Sequence, residues 1–268
     1  MTTGNPPLQA ADRRIVPSVK VLFLAAEASP LVKVGGLGDV AGSLPKALAA
    51  LGHDVRVAIP GYGAINWAKY KLRGRFPVPH RGGGQLAEIY ETSVDGVPFF
   101  LITGPPIPMD GRIYGSGIEE DGPKFIFFSL AALWSTQALG WKPDVVHAND
   151  FHTGAAVHWL GTEGRRVDFY RDVASLFTIH NLPYMGSNAG PFLGDYGLQP
   201  SLVGAALPDW ARDSLLALGL IHADRLSTVS PTYAREILNA EQGRGLEGIL
   251  RARAERLAGV LNGIDQDV

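Results

Sequence analysis

The chain has 268 residues, 46% hydrophobic and 19% charged, with a formal net charge of -2 at pH 7. A chain this long can bury a substantial core, as one large α/β domain or two small ones. The near-balanced charge gives no global basic field for nucleic acid, and no apolar run reaches the roughly 20 residues that a membrane span needs. There are no cysteines, which excludes disulfides, thiolate nucleophiles and cysteine-ligated zinc.

In chain order, residues 1–18 carry Pro6, Pro7, Asp12, Arg13 and Arg14 without a central apolar stretch. They read as a disordered leader and not as a secretory signal. Residues 19–25 (VKVLFLA) are almost wholly apolar, as expected of a parallel strand buried on both faces. The glycine-rich turn Lys33-Val34-Gly35-Gly36-Leu37 follows. A helix is predicted over 39–51, with Val40, Leu44, Ala47, Leu48 and Leu51 at helical spacing and Gly52 as its stop. A second strand over 54–59 completes a β-α-β unit, whose connection should be right-handed.

Two strand-like runs within 86–103 meet at Asp95-Gly96, which predicts an antiparallel hairpin added to the sheet. Alternation then resumes with a helix over 124–139, a strand over 144–147, a helix from Thr153 and a strand over 174–178. Beyond these come a strand over 225–229, a helix opened by Pro231 and a last strand over 257–261. Residues 182–200, rich in Gly and Pro, read as a long ordered loop of the kind that often carries function. The order predicts an α/β fold: a doubly wound, mainly parallel sheet with helices on both faces, built by residues 19–268 as one domain.

Ligands of such sheets bind beyond the carboxyl ends of the strands, near a topological switch point. That rule brings Glu27, residues 33–39, His147, Asn149, Asp150, His152, His180, Asn181 and Ser230 to one rim. The glycine turn has two readings. Its amides and the dipole of the next helix can hold a phosphate, with Lys33 adding a mobile charge; alternatively the glycines only make the turn and Asp39 complements the dipole. His147, Asp150, His152 and His180 can be drawn as a divalent metal site, although their spacing matches no zinc pattern. Otherwise His180, at a strand end, can donate to a ligand hydroxyl or to a backbone carbonyl and Asn181 can do both, while His147 and His152 are either ligand contacts or buried histidines satisfied by backbone. Asp150 either binds ligand or caps the helix near Thr153. Tyr114 is either a ligand contact or a packed loop aromatic. Tyr233 and Arg235 read as surface or packing residues of a helix.

The stretch EASPLVKVGGLGDVAGSLPKALAALGHDVRVAIPGYG, with its Lys-x-Gly-Gly-Leu signature, closely resembles the opening of bacterial glycogen synthases and plant starch synthases. The similarity recurs in DVVHANDFHTG (144–154), FTIHNLPYMG (177–186), ADRLSTVSPTYAREI (223–237) and LNGID (261–265). It implies the N-terminal, Rossmann-like domain of a GT-B glycosyltransferase. In that family glucose passes from ADP-glucose to the non-reducing 4-hydroxyl of an α-1,4-glucan with retention of configuration. By resemblance, Lys33, Gly35, Gly36 and Leu37 would face the donor phosphates, and Lys33, Asp39 and His180 would form the catalytic set, Asp39 and His180 binding the transferred sugar. Glu27, Tyr114, Asn149, Asp150, His180 and Asn181 would lie on the sugar or acceptor side. No metal or cofactor is implied, and neither nucleic acid nor membrane is an expected partner.

A second nucleotide-binding domain is expected after residue 268, and this half alone should turn over weakly or not at all. A bacterial cytoplasm, or a plastid stroma, is the expected location. One departure stands out. Where the family commonly has an Asp-Asn pair, residues 120–125 read EDGPKF, so Asp121 replaces an amide and, when ionised, can accept but not donate a hydrogen bond. Two alternatives remain open: another retaining transferase of this architecture using a different nucleotide sugar, and a stand-alone glucan-binding module.

Overall fold

Strand β1 (Lys20–Leu24) is the centre of the fold because Leu22, Phe23 and Leu24 have no exposed surface, which requires cover on both sheet faces. The computed structural model describes residues 17–110, 112–200 and 207–263. The expected leader lies outside them except for Pro17 and Ser18, as does the end of the LNGID segment.

The remaining strands are β2 (Asp54–Pro60), β3 (Lys71–Val78), β4 (Gln85–Val94), β5 (Val97–Thr103), β6 (Val145–Asn149), β7 (Ala174–Ile179), β8 (Arg225–Thr228) and β9 (Leu257–Gly259). They form one sheet in the order β3-β4-β5-β2-β1-β6-β7-β8-β9. All neighbours from β5 to β9 are parallel, while β4 runs antiparallel to both β3 and β5. The expected hairpin is therefore present, with Asp95 (φ 51) and Gly96 (φ 82) both left-handed as a tight two-residue turn requires. The chain builds outward from β1 through β2 to β5, then crosses to β6 on the other side of β1. That reversal opens a crevice at the carboxyl ends of β1 and β6.

Six helices matter for the site: α1 (Gly36–Ala50), α2 (Ile118–Ala138), α3 (Gly154–Gly161), α4 (Gly190–Asp195), α5 (Leu215–His222) and α6 (Pro231–Glu236). Helix α1 starts three residues before the expected Asp39, because the amides of Val34 and Gly35 are bonded from a distance by the Glu27 carboxylate. A cap supplied by another segment leaves no local sequence mark. Helix α2 starts at Ile118 and not at Lys124, so Asp121 stands in its first turn and Pro123 lies inside it. The expected loop over 182–200 holds the short helix α4, and Pro231 opens α6 as expected.

Candidate functional site

An open cavity of about 1020 Å³ sits on the crevice at the ends of β1, β6 and β7, a size and position typical of small-molecule sites. One wall is the turn from Val34 to the start of α1, with Glu27 beneath it. A second is the Tyr114 loop with the start of α2. The third combines the segment after β6 (Asp150, Phe151, His152), His180 and Asn181 after β7, and residues 183–188. This last stretch is zipped to the start of α5: Asp213 accepts from the amides of Asn188 and Gly190, and Ser214 Oγ donates to the carbonyl of Met185.

The glycine turn does not cradle a ligand with all its amides. Those of Val34 and Gly35 donate to Glu27, which is 2% exposed and also accepts from the Tyr114 hydroxyl at 3.0 Å. Gly36 and Leu37, the first two residues of α1, line the cavity, and their amides have no partner within the helix. Tyr114 gives its proton to Glu27, so toward the cavity its oxygen is an acceptor. It also packs near His152 and Phe125, which makes it both a cavity residue and a packed loop aromatic. Lys33 and Asp39 stand outside the lining. They pair with each other, Lys33 Nζ to Asp39 Oδ1 at 2.7 Å, with both side chains more than half exposed.

Past β6 the polar groups are ordered by burial. Asn149 has no exposed surface and does not reach the cavity; its Nδ2 donates to the Leu24 carbonyl at 2.8 Å, and its Oδ1 faces His180 Nε2 at 2.9 Å. The first bond fixes the amide's orientation, so Oδ1 must accept and His180 Nε2 must carry the proton. Burial lowers the His180 pKa to about 4, so at neutral pH the ring is uncharged and Nδ1 is an acceptor. Asp150 holds the same segment from below, its Oδ1 accepting from the amides of His180 (2.7 Å) and Asn181 (3.2 Å). It makes no side-chain cap on the helical turn that follows, which removes the capping reading. Its backbone is left-handed at φ 55, a conformation that costs about 1–3 kcal/mol. Burial raises its pKa to about 7, against the lowering effect of the two amide bonds.

The two other histidines separate. His147 is turned into the sheet, where Nε2 meets Thr178 Oγ1 at 2.7 Å, so a side-chain hydroxyl and not backbone satisfies it. His152 lines the cavity, stacked against Phe151, with Nδ1 buried and unpartnered. With His147 facing away, the four residues do not converge as drawn for a metal, and among the described residues no three His, Asp or Glu side chains form a metal-holding group. Ser230 caps α6 through the amide of Tyr233 and is not in the lining; the Tyr233 hydroxyl accepts from the amide of Leu182.

Asp121 lines the cavity but is already engaged, accepting from the amide of Gly115 and from Lys124 Nζ at 2.6 Å. Lys124 is 2% exposed and also donates to the carbonyl of Ile113. The missing amide at 121 is legible in the sequence, whereas this buried ion pair is marked there only by the i,i+3 spacing of Asp121 and Lys124 on one helix face.

Among solved structures, the catalytic domain of starch synthase IV from Arabidopsis thaliana, bound to ADP and acarbose, is similar over 93% of this chain, with 31% identity and a TM-score of 0.83. A mostly parallel nine-stranded sheet of this kind, with its cavity at the switch point, defines a Rossmann-like domain of a GT-B glycosyltransferase. The sequence model of the starch synthase catalytic domain matches residues 20–252, and the chain belongs to that family. Similar curated proteins include the glycogen synthases of Moorella thermoacetica (39% identity over 253 residues) and Streptococcus pneumoniae (36% over 262 residues). Each alignment takes in 93% of this chain but 51% and 53% of the relative. The chain thus spans about half the length of the curated relatives it matches.

Proposed function

We propose that this chain supplies the acceptor-side half of the active site of a glucosyltransferase that moves glucose from ADP-glucose to the non-reducing end of an α-1,4-glucan, with retention. The observation that carries this reading is the meeting, in one switch-point cavity, of a helix N-terminus with a wall of oriented sugar-sized polar groups. The ADP and acarbose of the Arabidopsis relative support these two ligand classes.

The chemistry follows from charge. As glucose departs, negative charge gathers on the pyrophosphate, and fixed donors aimed at it stabilise the transition state. The amides of Gly36 and Leu37 and the dipole of α1 provide such donors. Lys33 would join them by exchanging Asp39 for phosphate. A half-exposed pair of this kind is worth about 0–1 kcal/mol, so the exchange costs little, and the released Asp39 can meet the sugar. Neutral His180, Asn181 and Tyr114 offer hydrogen bonds to sugar hydroxyls, with Asn149 and Asp150 as their supports. A second nucleotide-binding domain, as the greater length of the relatives suggests, would close the cleft with further cations. No metal enters this scheme. Among the described residues no helix is long and apolar enough to cross a membrane, and a cytoplasmic location accords with the proposal.

The test is glucose transfer to glycogen from ADP-glucose and from UDP-glucose, by this chain and by the protein extended to the length of its relatives. The extended protein is expected to transfer from ADP-glucose, and this chain far more slowly or not at all. Transfer of neither sugar by the extended protein would remove the synthase reading; preference for UDP-glucose would move it to a different donor.

A further inference from the structure

Glu27 lines the cavity and bonds two of its walls at once. It lies three residues past β1, beyond the fully buried Ala25 and Ala26, so its backbone is held by the sheet. One carboxylate oxygen takes the amides of Val34 and Gly35, and the other takes the Tyr114 hydroxyl. The turn before α1 and the Tyr114 loop are 87 residues from Glu27 at the far end and only seven at the near end, so no local preference can set their spacing. Gly38 completes the seat: a Cβ there would come within 3.1 Å of Glu27 Oε2, tighter than ordinary packing. The carboxylate therefore engages the two amides that precede α1 and leaves the first amides of the helix itself to other partners.

We infer that Glu27 is a positioning residue that locks the donor-side turn and the Tyr114 loop to one spacing, so that the two walls act as a unit. It does so through charge-assisted bonds that a neutral amide cannot all replace. Glutamine keeps the size of the side chain but turns one acceptor into a donor facing other donors. The consequence for catalysis rests on the transfer reaction proposed above; the lock itself does not.

Two measurements test it. Amide hydrogen exchange on this chain reads the lock without turnover. Val34 and Gly35 should be protected, and in Glu27→Gln they should exchange roughly tenfold faster while the amides of β6 and β7 keep their rates. Glu27→Asp, which keeps the charge but withdraws it by one methylene, serves as a milder variant and should move the same two amides less. In the extended protein, Glu27→Gln should lower kcat more than it changes KM for glucan, and adding Tyr114→Phe to it should lower kcat little further. Unchanged exchange at Val34 and Gly35 would overturn the lock. Multiplying effects of Glu27→Gln and Tyr114→Phe would show two independent residues and overturn the coupling. If the extended wild-type protein transferred no glucose, the functional reading would fall while the exchange result still decided the lock.

Discussion

The glycines of the turn answer to different neighbours. Gly38 answers to the protein itself, since a Cβ would press on Glu27 Oε2 and Lys33 Cγ at 3.1 Å and one of them would have to give. At Gly36 a Cβ would meet nothing within 4 Å, and the residue faces the cavity at the first position of α1. Packing gives no reason for glycine there; close approach of a ligand to the backbone does. Gly36→Ala should therefore leave the thermal midpoint of this chain unchanged or slightly raised, since alanine is the better helix former by about 0.5–1 kcal/mol. In the extended protein it should slow transfer by roughly a hundredfold, the cost of a misplacement near 1 Å. Unchanged kinetics would take Gly36 out of the donor site. At this scale the sequence named the residues more surely than their partners. Glu27, Tyr114, Asp150, His180 and Asn181 come together, but that Asn149 stands behind His180 and that Lys33 turns to Asp39 depends on side-chain geometry with no linear signature.

Elements were legible where burial is one-sided or complete and punctuated. The run at β1, the Asp95-Gly96 turn and Pro231 at the start of α6 each have a local cause, and each appears as read. Strand β3 has no counterpart among the expected elements. It carries Gly74 and Pro77 among alternating charges, features that argue against a central strand but suit the edge it occupies. Helix α5 (LLALGLIH) also escaped, since it is buried almost all round and has no polar face to reveal a period. Helix α2 begins six residues before the expected Lys124 and runs through Gly122-Pro123, a pair that more often interrupts a helix. Its start is held instead by tertiary bonds, Asp121 to Gly115 and Lys124 to the carbonyl of Ile113.

For the whole molecule, histidine burial sets the response to acid. Burial lowers His147 and His152 to about 3 and His180 and His222 to about 4, and it lowers His158 as well, from an ordinary value of 6.5. A depressed histidine contributes stability above its unfolded pKa and loses it as pH falls toward the folded one. Asp150 has the opposite sign: raised from 3.8 to about 7, it favours the fold at low pH and loses that contribution as pH rises to 7. Several histidines against one carboxyl leave a net loss in acid. The urea midpoint of this chain should fall steadily from about pH 6.5 to about pH 4. A midpoint that stayed flat over that range would mean that these rings are already solvated in the fold.

The central claim is that the cavity at the switch point receives a glucan. It is tested most directly by titrating this chain with a maltooligosaccharide while following its backbone amide resonances. The account predicts shifts that saturate and concentrate at Tyr114, Asp150 to His152, His180, Asn181 and residues 183–188. Shifts confined to another face, or none up to the solubility limit of the sugar, would contradict it.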